Sequence, residues 1–209
     1  MLIIKAHPAG PQRKAALKAA VSVLKRGGVV AFPTETVYGM GCDPRDARAV
    51  RRVYAMKGRG ESKPLQLIAG SLAQVKKIAQ IDRANARVIK KRWPGPLTLL
   101  LPLRKGVKLA LRISPKRTIG IRVSSHSFVR ELAKRFGSPI AATSANRSGR
   151  APAASGRGAA RAFKDDPKPD LLLDFGSIPK RKPTTVARIR KDGSVAILRQ
   201  GGIRLPPRV

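Results

Sequence analysis

The chain has 209 residues, 42% of them hydrophobic, with 45 Lys and Arg against 11 Asp and Glu and a formal net charge of +34. That length suits one α/β domain, spanning 1–209, with a sizeable core, and no window approaches the ~20 uninterrupted apolar residues of a membrane span. A single cysteine, Cys42, excludes an internal disulfide and a Cys-cluster zinc site, and with His7 and His126 as the only histidines no metal-binding residues are expected. Met1-Leu-Ile-Ile runs at once into charge and proline rather than into the apolar stretch of a secretory leader, so a cytoplasmic protein is expected. A field of this size attracts polyanions, which makes some nucleic-acid affinity follow from charge alone; it describes a basic solvated surface equally well. Aromatic residues at 4% leave few stacking platforms for single strands.

Pro11 to Arg26 carries Ala16, Leu17, Ala20, Val21 and Leu24 at helical spacing, and Gly27-Gly28 stops it. Val29 to Phe32 reads as a buried strand ended by Pro33, and Thr34, Glu35 and Thr36 follow in a loop beyond its carboxyl end, where open α/β sheets hold ligands. Asp46 caps a predicted helix with Ala47, Val50, Val53 and Tyr54 on one side. Lys57, Arg59 and Lys63 then come within seven positions, interleaved with Gly58 and Gly60. Hydroxyls from one loop and cations from the next point to a small polar substrate beside a phosphate.

Leu65 to Ala69 is a second buried strand, Ser71 caps a helix bearing Leu72, Val75 and Ile78, and Asp82 starts another that runs to Arg92. Trp93-Pro94-Gly95-Pro96 breaks it before Leu97 to Leu103 extends. In Thr118 to Val123 the pattern TIGIRV puts Ile119, Ile121 and Val123 on one face and Thr118, Gly120 and Arg122 on the other. A hydroxyl, an absent side chain and a guanidinium in one row make a hollow with an anion clamp, since Arg holds a carboxylate or phosphate in bidentate fashion. A helix from His126 to Phe136 ends at Gly137, a strand covers Pro139 to Thr143, and Ser144, Asn146 and Ser148 cluster just beyond.

From Arg150 to Lys168 the composition turns to Ala, Pro, Gly, Ser and Arg, which reads as a loop able to close over a site, with a short helix at Gly158 to Phe163. Asp170 to Asp174 is a short strand and Lys180 to Pro183 a basic turn. Thr184 to Ile189 and Val195 to Leu198 flank Asp192-Gly193 as a hairpin.

Seven motifs occur in order: PTETVYGMGCDP, KGR with Lys63-Pro64, RWPGPLT, TIGIRV, TSANRSG, PTTV and LRQG. On these the chain resembles the YrdC-like family, in its short, single-domain threonylcarbamoyl-AMP synthase branch, from about Ala15 to Gly201, with 202–209 a short tail. The resemblance implies a twisted mixed α/β sheet with flanking helices and a basic concave cleft. It implies a nucleotidyltransferase that joins L-threonine, bicarbonate and ATP, with Mg²⁺ on the phosphates, into L-threonylcarbamoyladenylate and pyrophosphate. That product feeds the transferase machinery that forms threonylcarbamoyladenosine on tRNA.

Carried over by position, the family's Lys-Arg-Ser-Asn set falls on Lys57, Arg59, Ser144 and Asn146, expected to be catalytic and around the nucleotide. Lys63, Thr118 and Arg199 fall at ATP contacts, and Thr34, Thr36, Arg122 and Thr184 at threonine contacts. Two positions depart from the family pattern: Ile68 stands where many members carry a histidine, and Gln200 replaces a common glutamate. The competing expectation is a YciO-like relative, or a module that binds tRNA, double-stranded RNA or the ribosome through the same basic cleft.

Overall fold

The computed structural model describes residues 1–58, 60, 64–110, 113–179 and 181–209, with the side chain of Pro115 set aside. Arg59, Lys63 and Lys180, all singled out in the sequence, lie outside the described residues.

In chain order the elements are β1 (Leu2–Lys5), α1 (Gly10–Lys25), β2 (Val30–Pro33), β3 (Tyr38–Cys42), α2 (Ala47–Lys57), β4 (Gln66–Ala69), α3 (Leu72–Ile78) and α4 (Arg83–Arg92). The second half supplies β5 (Leu97–Pro102), β6 (Thr118–Val123), α5 (Ser127–Phe136), β7 (Ile140–Ser144), α6 (Gly156–Ala162), β8 (Leu171–Asp174), β9 (Thr185–Ile189) and β10 (Val195–Arg199). Among the described residues the ten strands join one mixed sheet in the order β1-β8-β2-β3-β7-β4-β6-β5-β9-β10.

Helix starts follow the capping residues. Asp46 accepts from the backbone N–H groups of Arg48 and Ala49, Ser71 from Gln74 and Asp82 from Asn85, each satisfying donors that the first helical turn leaves open. Asp192-Gly193 turns the β9–β10 hairpin, which pairs antiparallel.

Alternation along the strands divides the apolar residues between the two faces of the sheet. Val29, Ala31, Met40, Cys42, Leu67, Ala69, Ile119, Ile121, Val123 and Ala141 pack with α2, α3 and α4 in one core. Val30, Phe32, Ile68, Ile140, Ala142, Leu171 and Leu173 pack with α1 and α5 in the other. Helices α1 and α5 touch β2, β4 and β8. Thr118, Gly120 and Arg122 of β6 stand on the same face as this second core but farther across the sheet, in the strand that lies between β4 and β5.

Two strands depart from the sequence reading. The segment from Tyr38 to Cys42, to which the sequence reading gives no element, is the fully buried strand β3, antiparallel to both β2 and β7. Its sequence, YGMGC, lacks the β-branched run that marks strands because the backbones come too close for side chains: a Cβ on Gly41 would meet the Ala141 carbonyl oxygen at 2.5 Å and Ile140 Cγ2 at 2.8 Å. Strand β1 pairs parallel with β8 at the sheet edge, and its exposed Leu2 and Ile3 give it no alternation to read.

Asp170 ties that edge down. Its Oδ2 accepts from the Val29 backbone N–H at 2.7 Å, its Oδ1 from Arg52 Nη2 at 2.8 Å, and its carbonyl from the Leu2 N–H at 2.8 Å. Partial burial works to raise this carboxyl, but the Arg52 hydrogen bond, the Val29 N–H and the nearby positive charges hold it below the ordinary aspartate value of 3.8.

Two outcomes follow from this packing. Gly41→Ala is expected to lower the unfolding free energy by about 1–3 kcal/mol through overpacking, read as a lower urea midpoint; an unchanged midpoint would refute the close approach. Because the Asp170 carboxyl is depressed in the fold, its stabilisation is complete above the ordinary value of 3.8 and is lost as pH falls through the folded pKa. Asp170→Asn should therefore be less stable than the parent at neutral pH and converge with it in acid, whereas a constant gap across an acid titration would contradict the ionic role.

Candidate active site

A cavity of about 520 Å³ opens on the sheet face that carries α1 and α5. Its floor is built by alternation: Gln66 and Ile68 of β4, Arg122 of β6, Ala142 and Ser144 of β7 and Gly39 of β3 all line it. Thr34 and Thr36 enter from the loop between β2 and β3, and Thr184 and Arg199 from the start of β9 and the end of β10. Ala151, Pro152 and Ala154 cover it from the segment expected to close over a site.

The PTET loop is a self-bonded turn. Thr34 Oγ1 donates to the Val37 carbonyl at 2.6 Å and accepts from the Thr36 and Val37 N–H groups at 3.2 Å each. It also lies 3.1 Å from Thr36 Oγ1, and both threonines are 4% exposed. With the Thr34 proton spent on Val37, the Thr36 hydroxyl is the donor of that pair, and its lone pairs remain for a donor in the cavity.

Arg122 is buried on a central strand and needs a partner there. Glu35 supplies it: Arg122 Nε donates to Glu35 Oε1 at 3.2 Å, and Ser124 Oγ donates to Glu35 Oε2. Burial pushes the Glu35 carboxyl up, but the Arg122 charge, the Ser124 hydroxyl and its own backbone N–H outweigh burial and hold it below the usual glutamate value. The sequence had marked Glu35 only as a polar loop residue. Its pairing was invisible because Arg122 is 87 positions away.

Lys57 ends α2 with its side chain buried. Its Nζ donates to the Ser144 carbonyl at 2.9 Å, to Ser144 Oγ at 2.9 Å and to Asn146 Oδ1 at 2.6 Å. Asn146 Nδ2 donates in turn to the carbonyls of Arg147, at 2.9 Å, and Arg150, and the Ser148 N–H returns to the Lys57 carbonyl at 2.7 Å. Three members of the expected set, Lys57, Ser144 and Asn146, are thus one unit. Ser144 reaches the cavity, with Lys57 and Asn146 directly behind it. Arg59 and Lys63, expected beside them, fall outside the described residues.

At the far wall Arg199 Nη2 donates to Thr184 Oγ1 at 2.6 Å and its Nε to the Thr184 carbonyl at 3.1 Å. The chain after Arg199 folds back on β9: Gly201 and Ile203 donate to Thr185 Oγ1, each at 3.1 Å. A Cβ on Gly201 would lie 2.1 Å from the Pro183 carbonyl oxygen, which is why the terminal motif ends in glycine.

Thr118 shares the face of Arg122 but stands outside the cavity lining, four residues back along β6. Between them Gly120 is hemmed by Leu100, Gln66 and Thr98, whose side-chain carbons would lie 3.3–3.4 Å from an added Cβ, so the expected hollow is narrow at that point. Gln66 was not anticipated: it lines the cavity and accepts from Thr98 Oγ1 at 3.2 Å. Trp93 donates its indole N–H to the Leu97 carbonyl at 2.7 Å and packs on the core away from the cavity. No group of three His, Cys, Asp or Glu able to hold a metal occurs among the described residues, and none of their helices is long and apolar enough to cross a membrane.

A family model described as "Telomere recombination" (Sua5_yciO_yrdC) matches residues 22–201. A threonylcarbamoyl-AMP synthase of Chromobacterium violaceum is 40% identical over 165 residues, 78% of this chain and 83% of that protein. The crystal structure of P. abyssi Sua5 complexed with L-threonine superposes with a TM-score of 0.85 at 32% identity; the match covers 97% of this chain but only 58% of Sua5. Escherichia coli YciO superposes with a TM-score of 0.85 at 26% identity over the full length of both chains. With a family model across most of its length and an α/β sheet shared with Sua5 and YciO, this chain belongs to the Sua5/YciO/YrdC family.

Proposed function

We propose that this chain is a threonylcarbamoyl-AMP synthase, which converts L-threonine, bicarbonate and ATP to L-threonylcarbamoyladenylate and pyrophosphate for tRNA modification. The observation that carries this reading is the meeting in one cavity of two unlike anion sites: Arg122 held by Glu35 beside Thr34 and Thr36, and Ser144 backed by Lys57 and Asn146. The relative that carries the same enzyme name and the Sua5 structure complexed with L-threonine support it. The resemblance implies that the YciO-like branch lacks part of the Lys-Arg-Ser-Asn set, so the presence of Lys57, Ser144 and Asn146 in this chain favours the synthase.

In this reading Arg122 takes the threonine carboxylate and the Thr36 hydroxyl accepts from the ammonium, while Thr184 closes the pocket around the side chain. Ile68, in the cavity floor, offers that side chain an apolar wall. The threonine ammonium gives one proton to bicarbonate, which becomes CO2 and water; the free amine adds to CO2 and releases its second proton to solvent as it becomes a carbamate, whose oxygen then attacks the α-phosphorus and displaces pyrophosphate. The described ionisable side chains that line the cavity are arginines, Arg122, Arg181 and Arg199, so this chain's own part is to orient and to neutralise charge. Ser144 Oγ already accepts from Lys57, which leaves its O–H to donate to a phosphate oxygen with the lysine charge directly behind. Arg59, Lys63, Thr118 and Arg199 are assigned to the rest of the nucleotide. Mg²⁺ would arrive with the nucleotide as its counterion and would supply charge neutralisation on the phosphates. The +34 charge favours an added contact with tRNA or other RNA on the basic surface.

Pyrophosphate release from MgATP and bicarbonate should require L-threonine, with serine much poorer, and should change little between 50 and 200 mM salt. RNA binding that neutralises 6 to 10 phosphates should weaken by about 10³–10⁵ over the same range. Tight salt-sensitive RNA binding without threonine-dependent release would overturn the synthase reading in favour of a binding module. Weak RNA binding would remove the tRNA contact alone. Ser144→Ala should lower kcat by about 10²–10³ while the fold is retained, and Lys57→Ala at least as much; near-normal release by both would refute the phosphate assignment.

A further inference from the structure

Glu35 stands outside the cavity lining, behind Arg122, and the way it is held gives it a role of its own. The Ser124 hydroxyl oxygen accepts from the His126 backbone N–H at 3.1 Å, so its proton is directed to Glu35 Oε2. The Ser124 carbonyl is anchored by Arg130 Nη1 at 2.8 Å. The first turn of α5 thus fixes Ser124, Ser124 fixes Glu35, and Glu35 fixes the Nε edge of Arg122. Arg122 lines the cavity and makes no other hydrogen bond among the described residues. Its two terminal nitrogens are therefore the edge left for a ligand, in the geometry that takes both oxygens of a carboxylate.

The pairing also sets charge. The Arg122 and Glu35 side chains are 7% and 4% exposed, so solvent screens one charge from the other only weakly. Together they present a nearly neutral, strongly directional donor edge. Such an edge suits the carboxylate of a zwitterion, whose own ammonium balances it, and gives little advantage to a multiply charged phosphate. At the other end of the cavity the lining group is the Ser144 hydroxyl, with the Lys57 ammonium donating to it from behind.

We propose that Glu35 is a positioning residue that orients Arg122 and cancels its charge, so that this end of the cavity selects an amino-acid carboxylate over phosphate. The inference rests on the threonine-site reading above and extends it to a residue that does not touch the substrate. It accounts for a glutamate buried in the loop that carries both threonines.

The experiment is steady-state pyrophosphate release by the parent and Glu35→Gln, with threonine and ATP varied separately and inorganic phosphate added as the probe anion. Glu35→Gln is expected to raise the KM for threonine about ten- to a hundredfold, the range for loss of a hydrogen bond to a charged group, with the KM for ATP within about twofold of the parent. Inorganic phosphate, which should not compete with threonine in the parent, should become a competitive inhibitor against threonine in the variant. A merely structural role would not create that competition. An unchanged threonine KM, or threonine and ATP constants rising together with no new phosphate competition, would overturn the inference. Ser124→Ala removes one hydroxyl only and decides the matter should Glu35→Gln not fold: a higher threonine KM at constant ATP KM supports the role, and an unchanged one refutes it. Threonine-independent release by the parent would instead remove the functional reading, and this inference with it.

Discussion

A buried ammonium organises the functional end of this molecule. Lys57 is 5% exposed, and three acceptors surround it: the Ser144 carbonyl, the Ser144 hydroxyl and the Asn146 side-chain oxygen. A charge so far from water is tolerated only when its donors are satisfied, and removing one partner of such an arrangement typically costs several kcal/mol. The constraint is structural before it is catalytic. It locks the end of α2, on one face of the sheet, to the end of β7 and to the turn that follows, and the Ser148 N–H closes the link on the Lys57 carbonyl. Ser144 is thereby turned to the cavity with its hydroxyl oxygen already occupied from behind.

The second constraint is the sheet itself. Strand β7 lies between β3 and β4, and both of its pairings are antiparallel. Strand β4 then runs parallel to β6. Ser144 at the end of β7, Gln66 at the start of β4 and Arg122 near the end of β6 therefore fall on one floor although the chain visits them in a different order. The glycines of β3 allow this closeness, since a side chain at Gly41 would collide with the Ala141 carbonyl. Helices α1 and α5 stop short of that part of the face, and the cavity occupies what they leave.

These two constraints explain what could be read from the sequence. Elements announced by local chemistry were legible: α2, α3 and α4 from Asp46, Ser71 and Asp82, β6 from its alternation, and the last hairpin from Asp192-Gly193. Strand β3 was not, because its signal is the absence of side chains, and β1 was not, because an edge strand paired on one side needs no pattern. At the site, Thr34, Thr36, Arg122, Ser144, Thr184 and Arg199 do meet in the cavity. Gln66 was missed for want of any local cue, being one polar residue at the head of an apolar strand.

What the sequence could not convey is how charges pair. Lys57 meets Ser144 and Asn146 across 87 and 89 positions, and Glu35 meets Arg122 and Ser124 across the same two separations. Read along the chain, Lys57 and Arg122 are both cations expected at anions, and nothing distinguishes them. In the fold they differ in kind. Lys57 is turned into the protein, where it holds the Ser144 and Asn146 oxygens and so sets the end of β7, whereas Arg122 lines the cavity with its Nε edge fixed by a carboxylate. One basic inventory thus divides into a cation that acts through the hydroxyl in front of it and a cation that faces the cavity itself. An arginine matched in this way offers a ligand chiefly the geometry of its donors, which favours a planar carboxylate over a more highly charged group.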